Sequence, residues 1–243
     1  MKVLILLALP ASGKSEVRKF LRFLNAKICL RDFGLGHVIE LDDYPYVHMM
    51  RLIDQVLIRA DRKPTFFEAP DRPFIDAGNW LALIEFLNED FKCLGTNWRS
   101  QTDSKARELL GRLAPLLLVS SRDPTATLKR QLETDAAKVV SALEVECAKD
   151  TEGATVVMEF ARGGPLNASM PLPFPLGYQH SLAALSPEIL RKASILYVDV
   201  DPAQARQKNR NRMPPPDFQG DTGIFHFVPE VVMDNDYGCD DIH

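Results

Sequence analysis

Ala8-Leu9-Pro10-Ala11-Ser12-Gly13-Lys14-Ser15 decides how the rest of the chain is read. It fits the pattern Gly-x-x-x-x-Gly-Lys-Ser/Thr, with Ala8 where the first glycine usually stands. The chemistry of that pattern is backbone chemistry. A tight turn between a strand and a helix points consecutive N–H groups at one spot, and the helix dipole adds positive potential there. Gly13 lets the main chain approach a phosphate closely. Lys14 reaches the β- and γ-phosphates, and the Ser15 hydroxyl ligands Mg²⁺. Pro10, Ala11, Ser12, Gly13, Lys14 and Ser15 are therefore the expected contacts for a nucleotide's phosphates.

The flanks agree with this reading. Val3-Leu4-Ile5-Leu6-Leu7 is a continuous apolar run, as expected of a parallel strand buried on both faces. Val17, Phe20, Leu21 and Leu24 then recur at helical spacing, with Arg18, Lys19 and Arg22 on the other side. The basic start, short apolar run and small residues also imitate a secretory signal. Seven apolar residues sit at the bottom of the usual range for one, and a phosphate-binding turn accounts better for residues 8–15.

In a sheet of this kind ligands sit beyond the carboxyl ends of the strands. Val38-Ile39-Glu40-Leu41 runs into Asp42-Asp43-Tyr44. Thr155-Val156-Val157-Met158 runs into Glu159, with Arg162 three residues on. Carboxylates at such ends hold Mg²⁺ or take a proton from an attacking hydroxyl. The competing readings are a helix cap or turn for the Asp42-Asp43 pair and an ordinary ion pair for Glu159 and Arg162. Ser194 to Val200 reads as another strand. Asp201 and Pro202 then open a helix carrying Arg206, Lys208, Arg210 and Arg212, ended by Pro214-Pro215-Pro216. Arg206 and Arg210 share one face. They are the candidates for a lid over transferring phosphates, against the plainer reading of a solvated charged face. Val228 to Asn235 reads as the last strand, ended by Asp234-Asn235-Asp236.

The stretch 46–149 is too long for a simple crossover, so a mainly helical insert is expected, flanked by a core of 1–45 plus 150–243. Helices are predicted within 76–92 and about 125–148, with loop at 95–104. The segment Phe67 to Phe74 either contacts an acceptor or is a loop with an Asp71–Arg72 turn. A second proline-rich stretch runs from Pro165 to Pro175.

Composition excludes several classes. Net charge is −4, which argues against a nucleic-acid coat. Cys29, Cys93, Cys147 and Cys239 are scattered, and neither they nor the five histidines have zinc-ligand spacing. Separate thiols fit a reducing compartment, so a cytoplasmic location is expected. No apolar run approaches the roughly 18–20 residues that span a bilayer, so no membrane partner is expected. The sequence leaves the oligomeric state open.

These features together resemble the P-loop kinases that phosphorylate nucleosides, nucleotides and other small molecules. The resemblance covers 1–24, 37–45, 155–163, 194–212 and 228–236. Asp42-Asp43-Tyr44 is similar to the Asp-Asp-aromatic element of uridine-kinase-like members. Glu159 and Arg162 resemble the Glu-Arg element of deoxynucleoside kinases, where the two are adjacent. The resemblance implies an α/β fold, a doubly wound parallel P-loop NTPase sheet with a helical insert between the second and third core strands. It implies ATP and Mg²⁺ as cofactors, with Asn235 near the nucleotide base, and a small-molecule acceptor. Lys14, Arg206 and Arg210 would stabilise the transferring phosphoryl group. Asp42, Asp43 and Glu159 would share the base and metal roles, with Ser15 and Asp42 first for the metal. No Asn-Lys-x-Asp guanine signature and no Leu-Ser-Gly-Gly-Gln transporter signature is present. The alternative is an ATP-binding regulatory module or slow ATPase whose insert binds a partner. A kinase for nucleic-acid ends fits the acidic balance poorly.

Overall fold

A computed structural model describes residues 1–117, 125–213 and 227–243. Four parallel strands form one sheet, β1 (Lys2–Leu7), β2 (Val38–Asp42), β3 (Thr155–Phe160) and β4 (Ala193–Tyr197), in the order β2-β3-β1-β4. Helix α1 (Lys14–Phe23) follows β1. A one-turn α2 (Ala26–Ile28) and a π-type turn over Cys29–Phe33 lead to β2. Helices α3 (Tyr44–Arg59), α4 (Asn79–Cys93), α5 (Lys105–Leu113) and α6 (Thr125–Cys147) separate β2 from β3. Then come α7 (Gly177–Ala183), α8 (Pro187–Lys192), α9 (Pro202–Arg210) and α10 (Glu230–Asp236). The chain is thus α/β, with its long helical stretch between β2 and β3 as expected.

Strand alternation builds two unlike faces. Val3, Ile5 and Leu7 share a face with Ile39, Leu41, Val156, Met158 and Phe160, all buried under α4, α6 and α8. The opposite face is mostly carried by α1 and is thinner, with Leu6, Leu21 and Val157 at its centre. On that face β2 presents Glu40 and Asp42, and β3 presents Glu159. The cross-strand register puts Asp42 level with Glu159 and Glu159 level with Leu6. Three strand ends therefore stop at one height, and the polar ones face α1.

The helices between β2 and β3 bury a second apolar cluster around Met49, Met50, Ile53, Leu109 and Leu132. They are not set apart from the sheet, since Ile84, Leu87 and Phe91 of α4 and Leu143 and Cys147 of α6 pack directly on it. The Pro-punctuated segment is fixed from within. Buried Asp54 accepts hydrogen bonds from Thr65, Phe66 and Phe67 N–H at 2.7, 2.8 and 2.6 Å. Phe67 and Phe74 stack at 4.4 Å, while Asp71 and Arg72 lie outside as a loose 3.9 Å pair. The segment is the loop expected, with its Asp71–Arg72 corner in solvent.

Three sequence expectations need correction. The sequence predicts a strand over 228–235, but α10 is a helix. Val232, Met233 and Asp236 are its buried side, a helical spacing, and Pro229 and Glu230 supply its first turn. The apolar stripe on α1 is only partly buried, for Leu21 is covered while Phe20 is half exposed. The strand expected over 194–200 closes at Tyr197. Pro214 to Pro216 lie outside the described residues. Among the described residues, no helix is long and apolar enough to cross a membrane.

Candidate active site

The turn between β1 and α1 is strained in the way its sequence requires. Ala11 and Gly13 both take left-handed backbone, at φ 63° and 103°. At Gly13 this conformation strains any residue with a Cβ, although a Cβ there would meet no heavy atom within 4 Å. Ser12 N–H closes the turn on Leu9 O at 3.3 Å. Glu16 and Val17 N–H both donate to Gly13 O, starting α1 with no side chain capping its first N–H groups. Ser12 Oγ is buried beside the turn without a hydrogen-bond partner. A strained cradle, an uncapped helix start and an orphaned hydroxyl fit an anion with several acceptor oxygens.

Lys14 folds back over this turn. Its Nζ donates to Ala8 O at 2.5 Å and lies 3.4 Å from Leu9 O, and the side chain is buried. Burial lowers its pKa, opposed by the charges of Glu159, Asp42 and Asp43. The ammonium is therefore parked on the Ala8 and Leu9 carbonyls, in the field of three carboxylates.

Those carboxylates differ in their partners. Asp42 Oδ1 accepts from Tyr44 N–H at 2.9 Å, and its Oδ2 lies 3.3 Å from Arg18 Nη1. Burial, then repulsion from Glu159 and Asp43, pushes Asp42 up to about 7. Glu159 is 2.8 Å from Arg18 Nε, yet burial still raises its pKa. Asp43 occupies the position before α3 without capping it. Its carboxylate turns inward to Arg162, at 2.7 Å. Arg162 is buried and fully engaged. Its Nε donates to Ser181 Oγ, Nη1 to Ala161 O and Nη2 to Trp80 O, and Trp80 and Phe160 flank the guanidinium. The ion-pair reading of Arg162 holds, with Asp43 rather than Glu159 as partner.

Arg18 is the residue that sequence reasoning missed. A charge on an amphipathic helix reads as solvated, yet Arg18 sits one helical turn after Lys14 and so shares its face. It bridges Glu159, Asp42 and, at 3.8 Å, Glu40, which Arg22 also holds. The spacing Lys14 to Arg18 was the available clue.

The other predicted residues lie elsewhere. Arg206 Nη1 donates to Gly238 O at 3.3 Å and lies 3.9 Å from Asp234, while Arg210 pairs with Glu230. Both arginines thus tie α9 to α10 and the segment after it. Among the described residues, neither forms an ion pair or hydrogen bond with Lys14 or the three carboxylates. Asn235 is exposed and donates to Val231 O one turn back in α10. Ser15 is exposed at the start of α1. A cavity of about 340 Å³ lies elsewhere, beside Cys29, His37 and Lys149, where α1 ends and β2 begins.

The donor set bears on a metal as well. Among the described residues, no group of three or more His, Cys, Asp or Glu is disposed to hold an ion. Mg²⁺ habitually takes one or two protein oxygens and completes its shell with phosphate and water. Ser15 supplies one such oxygen, while Asp42, the second oxygen expected for the metal, is engaged by Arg18 Nη1 at 3.3 Å. Compared with known proteins, the chain matches no family model, no curated protein and no solved structure.

Proposed function

We propose that this chain is an ATP-dependent phosphotransferase acting on a small-molecule acceptor, built on a P-loop kinase-like core. One juxtaposition supports the reading most directly. A strained turn opening an uncapped helix and a buried lysine stand against three carboxylates supplied by two other strand ends. In this reading the amides of 13–15 and the Lys14 ammonium hold the phosphates. Lys14 leaves the Ala8 carbonyl to follow the charge that builds on the transferring group. Asp42, near neutrality and beside the turn, accepts the acceptor's hydroxyl proton. Asp43, fixed by Arg162, orients the acceptor. Glu159 and Arg18 set the charge around Asp42. Mg²⁺, held by Ser15 and the phosphates themselves, would neutralise phosphate charge when bound. Nucleosides and nucleotides are the first acceptors to try.

The regulatory-module reading keeps one observation in its favour, since Arg206 and Arg210 are committed to α10 and its neighbourhood. The two are separated by incubating the protein with Mg-ATP and a panel of nucleosides, nucleotides and hydroxylated metabolites. A phosphotransferase makes ADP faster with at least one acceptor and leaves that acceptor phosphorylated. Binding without turnover, or ADP production that no acceptor changes, overturns the proposal in favour of the module.

A further inference from the structure

The two edges of the sheet are treated differently. Thr155 N–H donates to His37 O, so on β2 the odd-numbered residues bond to β3 and the even-numbered ones face outward. Side chains from the end of α6 and just beyond it cap those outward groups. Glu40 N–H donates to Glu146 Oε2 at 2.9 Å, and Lys149 Nζ reaches Val38 O at 3.4 Å. Blocking an edge in this way prevents another strand from pairing there.

Among the described residues, the β4 edge carries no such block. Val198 N–H donates to Leu7 O, and Tyr197 is level with Leu7. By alternation the backbone groups of Ala193, Ile195 and Tyr197 point away from β1. Ala193 N–H closes α8 on Leu190 O. Among the described residues, no backbone hydrogen bond takes up the Ala193 carbonyl or either group of Ile195 and Tyr197. Residues 193–198 include no lysine, proline or bulge. Ile195 is 52% exposed and Leu196 40%, one on each face of the sheet. An apolar edge with open donors and acceptors is a pairing surface.

We propose that β4 pairs antiparallel with β4 of a second copy of this chain, about a two-fold axis at Ile195, giving one continuous sheet. The geometry is self-consistent. Two-fold pairing centred on a residue requires that residue to face outward, and Ile195 does. It exchanges two hydrogen bonds with its own symmetry mate, and the Ala193 carbonyl on each side accepts from Tyr197 N–H on the other. The Ile195 side chains meet across the axis, and Leu196 lies across from the second copy's Ser194. Charge selects the antiparallel sense and this register. Arg191 and Lys192 precede the strand and Asp199 and Asp201 follow it, so each positive end meets the other copy's negative end. Parallel pairing would set like charges together.

Sedimentation equilibrium on the full chain tests this, with Ile195→Lys as the disrupting variant, since that side chain is already half in water. The native chain is expected as a dimer, and Ile195→Lys should weaken association at least about tenfold with an unchanged circular dichroism spectrum. Arg191→Glu should weaken it as well, and adding Asp199→Arg should restore it. A chain that stays monomeric overturns the proposal. If its amides at 195 and 197 are also protected from hydrogen exchange, the edge is covered from within the chain. A dimer indifferent to Ile195→Lys overturns it too, placing the interface elsewhere.

Discussion

Replacing Asp42 by Asn should stabilise the folded chain at alkaline pH and leave it nearly unchanged in acid. In the unfolded chain this carboxyl titrates at 3.8, and in the fold burial and the charges of Glu159 and Asp43 raise it to about 7. An acid with a raised pKa favours the fold when protonated. Its contribution is intact below about 4 and is lost progressively as pH climbs to about 7. A rise of about 3 units corresponds to a ceiling of about 4 kcal/mol. The shift already includes the opposing Arg18 charge, and with the side chain 25% exposed, solvent screening reduces the gain to about 1–2 kcal/mol. The Asn amide oxygen can still accept from Tyr44 N–H, so the backbone turn is kept. Urea unfolding of both proteins between acid and alkaline pH measures the difference at constant m-value. The reasoning is refuted if Asp42→Asn is less stable than the parent at pH about 8. It is equally refuted if the difference between the two proteins is the same at both ends of the range.

The same geometry makes three further predictions. Arg162→Met strands the buried Asp43 carboxylate and should cost about 3–5 kcal/mol in unfolding free energy, partly recovered by adding Asp43→Asn; a loss below about 1 kcal/mol would mean that Asp43 is solvated. Gly13→Ala meets no neighbour, so its cost is backbone strain alone, about 1–2 kcal/mol by thermal or urea unfolding. Acceptor-dependent turnover should rise as pH climbs to about 7 and then level off, and Asp42→Asn should lose that limb.

The parts of this molecule legible in sequence are those where one residue type does one job. Val3 to Leu7 reads as a buried strand because both its faces are apolar. The turn reads through Gly13 and Lys14. Asp42, Asp43 and Glu159 stand out as polar residues ending apolar runs, and the register brings the ends of their strands together. The role of Arg18 depends on which sheet face α1 covers, and that is set by distant pairings. For α10, Val231-Val232-Met233 suits either period; Asp236 becomes a core-facing residue only because the helix packs there, and burial pushes it up to about 7. Ile195 and Leu196 read as interior residues, because nothing in a single strand's sequence says that it ends a sheet. Arg162 could be paired with Glu159 by proximity in sequence, while the fold delivers Asp43 from another strand.

Titrating Mg-ATP into the native chain and into Lys14→Met by calorimetry tests the phosphate cradle most directly. The account predicts saturable binding by the native chain and its loss in the variant, with both giving the same circular dichroism spectrum. Equal binding by the two, or none by either, would contradict it.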